Sequence, residues 1–204
     1  MNKCHFEIKE NAQAPIEGGD VLLVNIGANM DTTSLAIIVD DTNAHAWADL
    51  FKKEVKQSAL SSQKHLPDVI SEATKKIGEN TKDLPMPAFL VSRISNGIFE
   101  AFANGDCGLV VHYQDGVVES YAANKSKETD LSSSRVSRIS KDRRRNLSTY
   151  TNGSMWSLAA RVEAVQSVAL LPAVDENEAQ PVHKISSSKR RALLLDLVDE
   201  REYD

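Results

Sequence analysis

The sequence predicts an α+β fold in which helices cover an antiparallel sheet. Two apolar strands come first, two amphipathic helices follow, and four further strands run from Ala88 to Tyr121. Within this last stretch, Asn96-Gly97 and Asp115-Gly116 each separate two apolar runs. Both dipeptides are strong hairpin signals, because a two-residue type I′ turn needs positive φ at both central positions and these residues accept it. The stretch is therefore predicted to be a β-meander.

The first half supplies the remaining strands and the helices. Val21–Ile26 and Leu35–Val39 are rich in β-branched residues and are predicted to pair as a buried hairpin. Thr42-Asn43 is a candidate cap for the first helix, and the second helix has Pro67 in its first turn and Gly78 as its stop. The apolar stripes are Trp47, Leu50, Phe51 and Val55 in the first helix and Val69, Ile70, Ala73 and Ile77 in the second.

The composition of the chain limits the classes of protein to which it could belong. A chain of 204 residues can bury one substantial core, so a single domain over 1–204 is expected. The net charge of −5 gives no overall attraction to nucleic acid or an anionic membrane. There is no leader at Met1, and no apolar run approaches the roughly 18 residues of a membrane span, so a cytoplasmic protein without a membrane partner is expected. Cys4 and Cys107 suggest reduced thiols rather than a disulfide framework.

A basic, Ser/Arg-rich segment interrupts the second half at about 124–148. Between Asn124 and Asn146, eight Lys and Arg residues outnumber three Asp and Glu residues, which leaves a local charge of +5. Arginine forks match phosphate groups, so a phosphoprotein or nucleic acid could bind here. No stacking aromatic residues are interleaved, which disfavours nucleic acid and favours a solvated, mobile insertion.

The last third is predicted to contain two helices and one strand. Trp156–Val165 has helical spacing, Val168–Leu171 is a short strand ended by Pro172, and Asp175–Gln180 is an acidic loop. Lys189–Tyr203 is predicted to form a terminal helix, whose apolar stripe contains Leu193, Leu194, Leu197 and Val198.

Acidic residues at strand ends are the remaining candidates for chemistry. The five histidines are scattered, and the chain has no serine-nucleophile elbow and no phosphate-binding loop of the Gly-Lys-Ser/Thr type. Asp40 and Asp41 close the second strand, and Asp106 lies in the turn within the predicted meander. Mg²⁺ and Mn²⁺ prefer carboxylate ligands, so these turns could form one metal site. Aspartate is also a common turn residue without any ligand.

These segments resemble the bacterial metal-dependent protein phosphatases, the type-2C serine/threonine (PPM) family. Glu10-Asn11-Ala12-Gln13-Ala14 stands where the family has Glu-Asn-x-Asp-Ala, and Val39-Asp40-Asp41 resembles its Val-x-Asp-Gly strand end. Gly105-Asp106-Cys107 resembles the family's Gly-Asp-Ser turn. Further similar segments are the helix with Trp47-Ala48, Arg145-Asn146, Gly153–Trp156 and the terminal Leu194–Asp204.

The resemblance implies a four-layer αββα sandwich, in which two antiparallel sheets are flanked by helices. It also implies two bridged Mg²⁺ or Mn²⁺ ions that activate a water for attack on a phosphate ester. The chain departs from the ligand pattern: Gln13 replaces the first aspartate, and Asp41 replaces a glycine. The late turn near Leu171–Val174 has no aspartate unless Asp175 serves, and the sequence stops at Asp204 before a final motif, so two or three ligands are expected to be missing.

Three hypotheses follow. The favoured one is a degenerate, non-catalytic PPM-like protein that binds or regulates a protein or phosphoprotein through Arg135–Arg145. Its Mg²⁺ or Mn²⁺ site would be weak or lost, with Asp40 and Asp106 as ligands and Asp41 as a helper. The second is an active serine/threonine phosphatase with a reduced ligand set, drawn from Asp31, Asp40, Asp41, Asp106 and Asp175. The third is an unrelated α+β interaction module.

Overall fold

Two antiparallel β-sheets stack face to face in the computed structural model, and two α-helices cover one of them. This architecture confirms the predicted α+β class and the two-sheet sandwich. The structure describes residues 4–8, 20–28, 31–40, 45–61, 63–80, 86–105, 107–122, 146–152, 154–171 and 193–199.

The strands divide between a five-stranded and a six-stranded sheet. In spatial order the five-stranded sheet contains β1 (Cys4–Ile8), β11 (Leu193–Asp199), β10 (Val165–Leu171), β6 (Gly108–Tyr113) and β7 (Val118–Ala122). The six-stranded sheet contains β2 (Asp20–Ala28), β3 (Asp31–Asp40), β4 (Ala88–Ser95), β5 (Ile98–Asn104), β9 (Met155–Arg161) and β8 (Asn146–Asn152). The helices are α1 (His45–Ser61) and α2 (Leu66–Asn80).

Each face of the six-stranded sheet packs on a separate apolar core. Alternation along β3 turns Ala36 and Ile38 toward the other sheet and Leu35, Ile37 and Val39 toward the helices. All five side chains are buried. The outer face of the five-stranded sheet is also buried at Val110 and Ala169, which are directly paired. Because these strands are buried on both faces, their sequences are continuous apolar runs rather than alternating apolar and polar residues.

The first half of the chain follows the prediction closely. β2 and β3 pair as an antiparallel hairpin, and both helices form with their predicted apolar faces inward, apart from Leu50, which stays 37% exposed. Gly78 does not stop α2, since the helix continues to Asn80. The predicted cap Thr42-Asn43 lies outside the described residues.

The predicted β-meander is wrong, because its two hairpins belong to different sheets. β4 and β5 form a hairpin with positive φ at Asn96 (51°) and Gly97 (76°), as a type I′ turn requires. β5 does not pair with β6: after Gly105, with φ of 78°, the chain crosses to the other sheet. The β6–β7 loop is also not a two-residue turn, because in it only Gly116 has positive φ (81°) and Tyr113 N–H donates to Val117 O.

Both helices predicted in the last third are wrong. The stretch Trp156–Val165 forms β9 and a 3₁₀ turn (Val162–Ala164), because its buried residues Trp156, Leu158 and Ala160 alternate as in a strand. The predicted terminal helix is instead β11, which pairs on one side with β1 and on the other with β10. The predicted strand Val168–Leu171 is confirmed within β10.

Two strands lack any sequence prediction, β1 and β8. β8 begins at Asn146, so the last three residues of the predicted insertion at about 124–148 belong to a strand. Residues 123–145 lie outside the described residues. Among the described residues, no helix combines the length and apolar character that crossing a bilayer requires.

Candidate functional site

One end of the six-stranded sheet carries the strand ends at which metal ligands were predicted. Asp40, the last residue of β3, is in register with Ala88 at the start of β4. Asn104, the last residue of β5, is in register with Phe89 of β4 on one side and Met155 of β9 on the other. β3 and β5 are two strands apart, so these ends lie about 10 Å apart across the sheet.

This arrangement brings the ends of β3 and β5, next to which the cation ligands are predicted, to the same edge of the sheet. Of the three candidate ligands, only the backbone of Asp40 is described, and Asp41 and Asp106 lie outside the described residues. In the sequence, Asp106 directly follows Gly105, the residue after the end of β5. Coordination by Asp40, Asp41 and Asp106 stays a prediction.

Gly105 is held tightly against the start of β4. Its φ of 78° lies in the left-handed region, and a Cβ added there would stand 2.7 Å from Ala88 Cβ. Its N–H donates to the backbone carbonyl of Ser154, at 3.0 Å. Only glycine combines this conformation with so close an approach, which explains the residue at this turn.

Neutral side chains complete the contacts at this end. Ser154 Oγ donates to Asn104 Oδ1 at 3.0 Å, and Asn104 Nδ2 donates to Pro87 O at 3.5 Å. Asn104 is only 7% exposed. Its amide therefore has protein partners for both its oxygen and its nitrogen.

The described donors do not fit a two-metal centre. The residues that the structure describes contain no group of three or more His, Cys, Asp or Glu side chains placed to hold a metal ion. Next to the Gly105 turn they offer an amide and a hydroxyl that are already bonded to each other. Hard cations favour clustered carboxylates instead, so this pair of neutral groups is a poor ligand set for Mg²⁺ or Mn²⁺.

An aromatic cluster lies between the sheets near the same end. The Trp156 ring stacks on Tyr121 with ring centroids 6.1 Å apart, and the hydroxyls of Tyr121 and Tyr113 are 3.2 Å apart. The Tyr121 hydroxyl also donates to Glu119 Oε2. Trp156 Nε1 is buried without an acceptor among the described residues.

Tyr121 is held in its neutral form. Burial first, and then the hydrogen bonds to Glu119 and Tyr113, raise the pKa of Tyr121 far above its usual value of 10.0. A folded-state pKa above the unfolded value stabilises the protein fully below about pH 10, and this stabilisation is lost as the pH rises further.

We expect Tyr121 to contribute nothing to the alkaline titration of the folded protein. The measurement is phenolate absorbance up to about pH 11 in the wild type and in Tyr121→Phe. The two folded proteins should give equal amplitudes. A wild-type amplitude larger by one tyrosine would contradict the buried environment of this side chain.

A buried ion pair fixes the helices to the sheet. Arg93 on β4 and Glu100 on β5 are 3% and 5% exposed, and Arg93 Nε donates to Glu100 Oε2 at 3.0 Å. The guanidinium also donates to Ala59 O in the last turn of α1 and to Lys64 O between the helices. Glu100 Oε1 accepts from the N–H of Leu66, the first residue of α2.

The pair thus satisfies backbone groups at the α1 C-terminus and the α2 N-terminus, with charges that suit each helix end. Sequence reasoning missed it, although a signal existed. The Asn96-Gly97 turn sets a register in which Arg93 and Glu100 are directly opposite.

Aromatic packing holds the other end of α1 close to the Asp40 strand end. Trp47 and Phe51 on α1 stack with ring centroids 4.7 Å apart, and Phe51 contacts Phe89 with centroids 4.4 Å apart. Phe89 follows Ala88, the register partner of Asp40. The helix that follows Asp40-Asp41 is therefore anchored on the strand that separates the two candidate ligand positions.

Comparison with known proteins identifies a solved structure with a similar fold. No protein-family model matches the sequence, and no curated protein matches it. The serine/threonine phosphatase Stp1 from Staphylococcus aureus has a similar structure, with a TM-score of 0.52, 8% identity and coverage of 98% of this chain and 95% of that chain. This likeness, together with the two stacked sheets and their helices, shows that the chain shares the fold of this serine/threonine phosphatase.

Two other solved structures match with lower TM-scores. RsbX in complex with magnesium matches with a TM-score of 0.48 and 12% identity, over 96% of this chain and 94% of that chain. The phosphatase domain of the cell fate determinant SpoIIE from Bacillus subtilis matches with a TM-score of 0.40 and 11% identity, over 92% and 72%.

Proposed function

We propose that this protein is a degenerate PPM-type protein that binds or regulates a protein partner and does not hydrolyse phosphate esters. Its main support is the edge of the six-stranded sheet at which β3 ends in Asp40 and β5 ends two residues before Asp106. The side chains described next to the end of β5, those of Asn104 and Ser154, are neutral and bonded to each other. The phosphatase-like fold is kept, whereas the described residues do not supply the ligand set that two bridged metals need.

The sequence of the last third supports the same proposal. Between the end of β10 and the start of β11, the carboxylates are Asp175, Glu176 and Glu178. The segment 179–192 contains none and includes Lys184, Lys189, Arg190 and Arg191. With Gln13 in place of an aspartate near the N-terminus, we propose that any remaining Mg²⁺ or Mn²⁺ site is single and weak, with Asp40 and Asp106 as its ligands and Asp41 as a helper.

The alternative function is an active Mg²⁺- or Mn²⁺-dependent serine/threonine phosphatase with a reduced ligand set. The fold favours this candidate, since Stp1 has a similar structure over nearly its whole length. The two stacked sheets argue against an unrelated interaction module.

Hydrolysis of an aryl phosphate separates the two functions. We expect the full chain to show no Mn²⁺- or Mg²⁺-dependent hydrolysis across a wide range of metal concentrations, with Stp1 as the positive control in the same assay. Removal of the ligand carboxylates should abolish the activated metal-bound water. Metal-dependent turnover that disappears in Asp40→Asn would overturn the proposal in favour of the active phosphatase.

We propose that the partner is a protein or phosphoprotein that contacts the basic segment around Arg135–Arg145. Its local charge of +5 contrasts with the net −5 of the whole chain, and it leads directly into β8. A cytoplasmic location suits Cys4 and Cys107, which are both buried.

Binding of a phosphorylated peptide across a series of salt concentrations tests this surface. We expect affinity to fall steeply with salt, because exposed charges are screened beyond about 10 Å at 0.1 M. The variant Arg143→Gln/Arg144→Gln/Arg145→Gln should bind much more weakly, whereas Lys75→Gln on α2 should not differ from wild type. A salt-independent affinity, or equal binding by both variants, would refute this binding role and favour the interpretation of the segment as a solvated loop.

A further inference from the structure

The turn that precedes Asp106 is held by hydrogen bonds to two other segments of the chain. Asn104 Nδ2 donates to the carbonyl of Pro87, which precedes β4, and Asn104 Oδ1 accepts from the hydroxyl of Ser154, which precedes β9. Gly105 N–H donates to the carbonyl of Ser154. We call this group of Pro87, Asn104, Gly105 and Ser154 the strand-end clasp. All of its bonding groups are neutral.

We propose that the strand-end clasp positions Gly105, the residue before Asp106, relative to the Asp40 strand end without any cation. Two observations carry the proposal. Gly105 is bonded to Ser154 O on one side and packed against Ala88 on the other, which leaves it little room to move. Ala88 is itself in register with Asp40, so the same contact sets the distance between Gly105 and the Asp40 strand end.

The bonding pattern makes the clasp cooperative. Ser154 contributes its backbone carbonyl to Gly105 and its hydroxyl to Asn104, so the Ser154 side chain helps to hold its own carbonyl in place. Asn104 is nearly buried, and its amide nitrogen reaches back to Pro87 O. Loss of the Ser154 hydroxyl would leave Asn104 Oδ1 without this donor and loosen the Gly105 bond. Ser154 is therefore a positioning residue for the turn.

In a metal centre that organises its own loops, the ligands order when the ion binds, because like charges repel in its absence. A turn fixed by neutral groups does not need that step. This inference rests on the proposed function only because it takes the end of the sheet with Asp40 and Gly105 as the end that would bind a cation. The clasp makes this end of the sheet rigid in the metal-free protein.

Amide hydrogen exchange at Gly105, followed by NMR on the full chain, tests the clasp. We expect slow exchange that is the same in EDTA and in excess Mg²⁺. Ser154→Ala should accelerate exchange at Gly105 by about 2- to 10-fold, the factor that corresponds to one ordinary hydrogen bond. Ser157→Ala, a half-buried serine on β9, the strand that Ser154 precedes, is the control and should leave exchange at Gly105 unchanged.

Two results would overturn the proposed role of the clasp. One is protection of the Gly105 amide that arises only when Mg²⁺ or Mn²⁺ is added, and the other is equal exchange in Ser154→Ala and Ser157→Ala. Neither result depends on hydrolysis, so failure of the clasp is distinguishable from failure of the proposed function. Metal-dependent phosphatase activity would refute the proposed function and leave the exchange result in EDTA standing.

Discussion

Replacing Arg93 by Met should destabilise the protein by about 3–5 kcal/mol, a large part of the stability of an ordinary domain. The substitution leaves the Glu100 carboxylate buried without its charge partner. It also removes the donor to Ala59 O and Lys64 O, which loosens the connection between α1 and α2. Urea unfolding, followed by circular dichroism, measures the change in the free energy of unfolding.

Two further variants show whether the unpaired charge is the cause. Arg93→Met/Glu100→Leu removes both charges and should be more stable than Arg93→Met alone, because an uncompensated buried carboxylate costs more than a lost pair. Lys76→Met breaks the exposed pair with Glu54, whose atoms are 3.4 Å apart, and should cost less than about 1 kcal/mol. If Arg93→Met and Lys76→Met lowered the free energy of unfolding equally, the burial of the Arg93–Glu100 pair would be contradicted.

Gly105→Ala is expected to cost about 2–5 kcal/mol. The left-handed conformation costs an L-residue about 1–2 kcal/mol, and an overpacked contact typically adds about 1–3 kcal/mol. Here the new Cβ would stand 2.7 Å from Ala88 Cβ and 3.1 Å from Ala88 Cα, and backbone atoms yield poorly. The midpoint of urea unfolding measures the loss.

Gly116→Ala is the matched control for this prediction. Gly116 has a similar φ of 81°, but nothing lies within 4 Å of an added Cβ, so only the conformational cost of about 1–2 kcal/mol applies. Gly105→Ala/Ala88→Gly should recover part of the loss, because it removes the side chain that collides. If Gly105→Ala and Gly116→Ala were equally destabilising, the close contact with Ala88 would be refuted.

The sequence predicts well those elements whose signals are local. The Asn96-Gly97 turn, both helices and the β2–β3 hairpin depend on turn chemistry and on apolar spacing within a short window, and all of them form. The two-sheet sandwich followed from a family resemblance rather than from the residues. Spacing alone placed all four strands after Ala88 in one sheet, because the change of sheet at Gly105 depends on contacts distant in sequence.

The two wrong helix predictions arise where one apolar run fits both the helical period and the two-residue period of a strand. Trp156–Val165 and the leucines of β11 satisfy helical spacing as well as alternation, and only pairing with β5, β10 and β1 decides between them. The buried Arg93–Glu100 pair was equally hidden, because charged residues are normally expected at the surface. The neutral clasp beside the candidate strand ends could not be predicted, since Asn104 and Ser154 are 50 residues apart.

Calorimetric titration of the full chain with Mn²⁺ and with Mg²⁺ tests the central claim, that the phosphatase fold is kept without its two-metal centre. Stp1 titrated under the same conditions is the reference. We expect at most one weak binding event, and this event should vanish in Asp40→Asn/Asp106→Asn. Tight binding of two ions per chain would contradict the degenerate assignment and make the active phosphatase the better account.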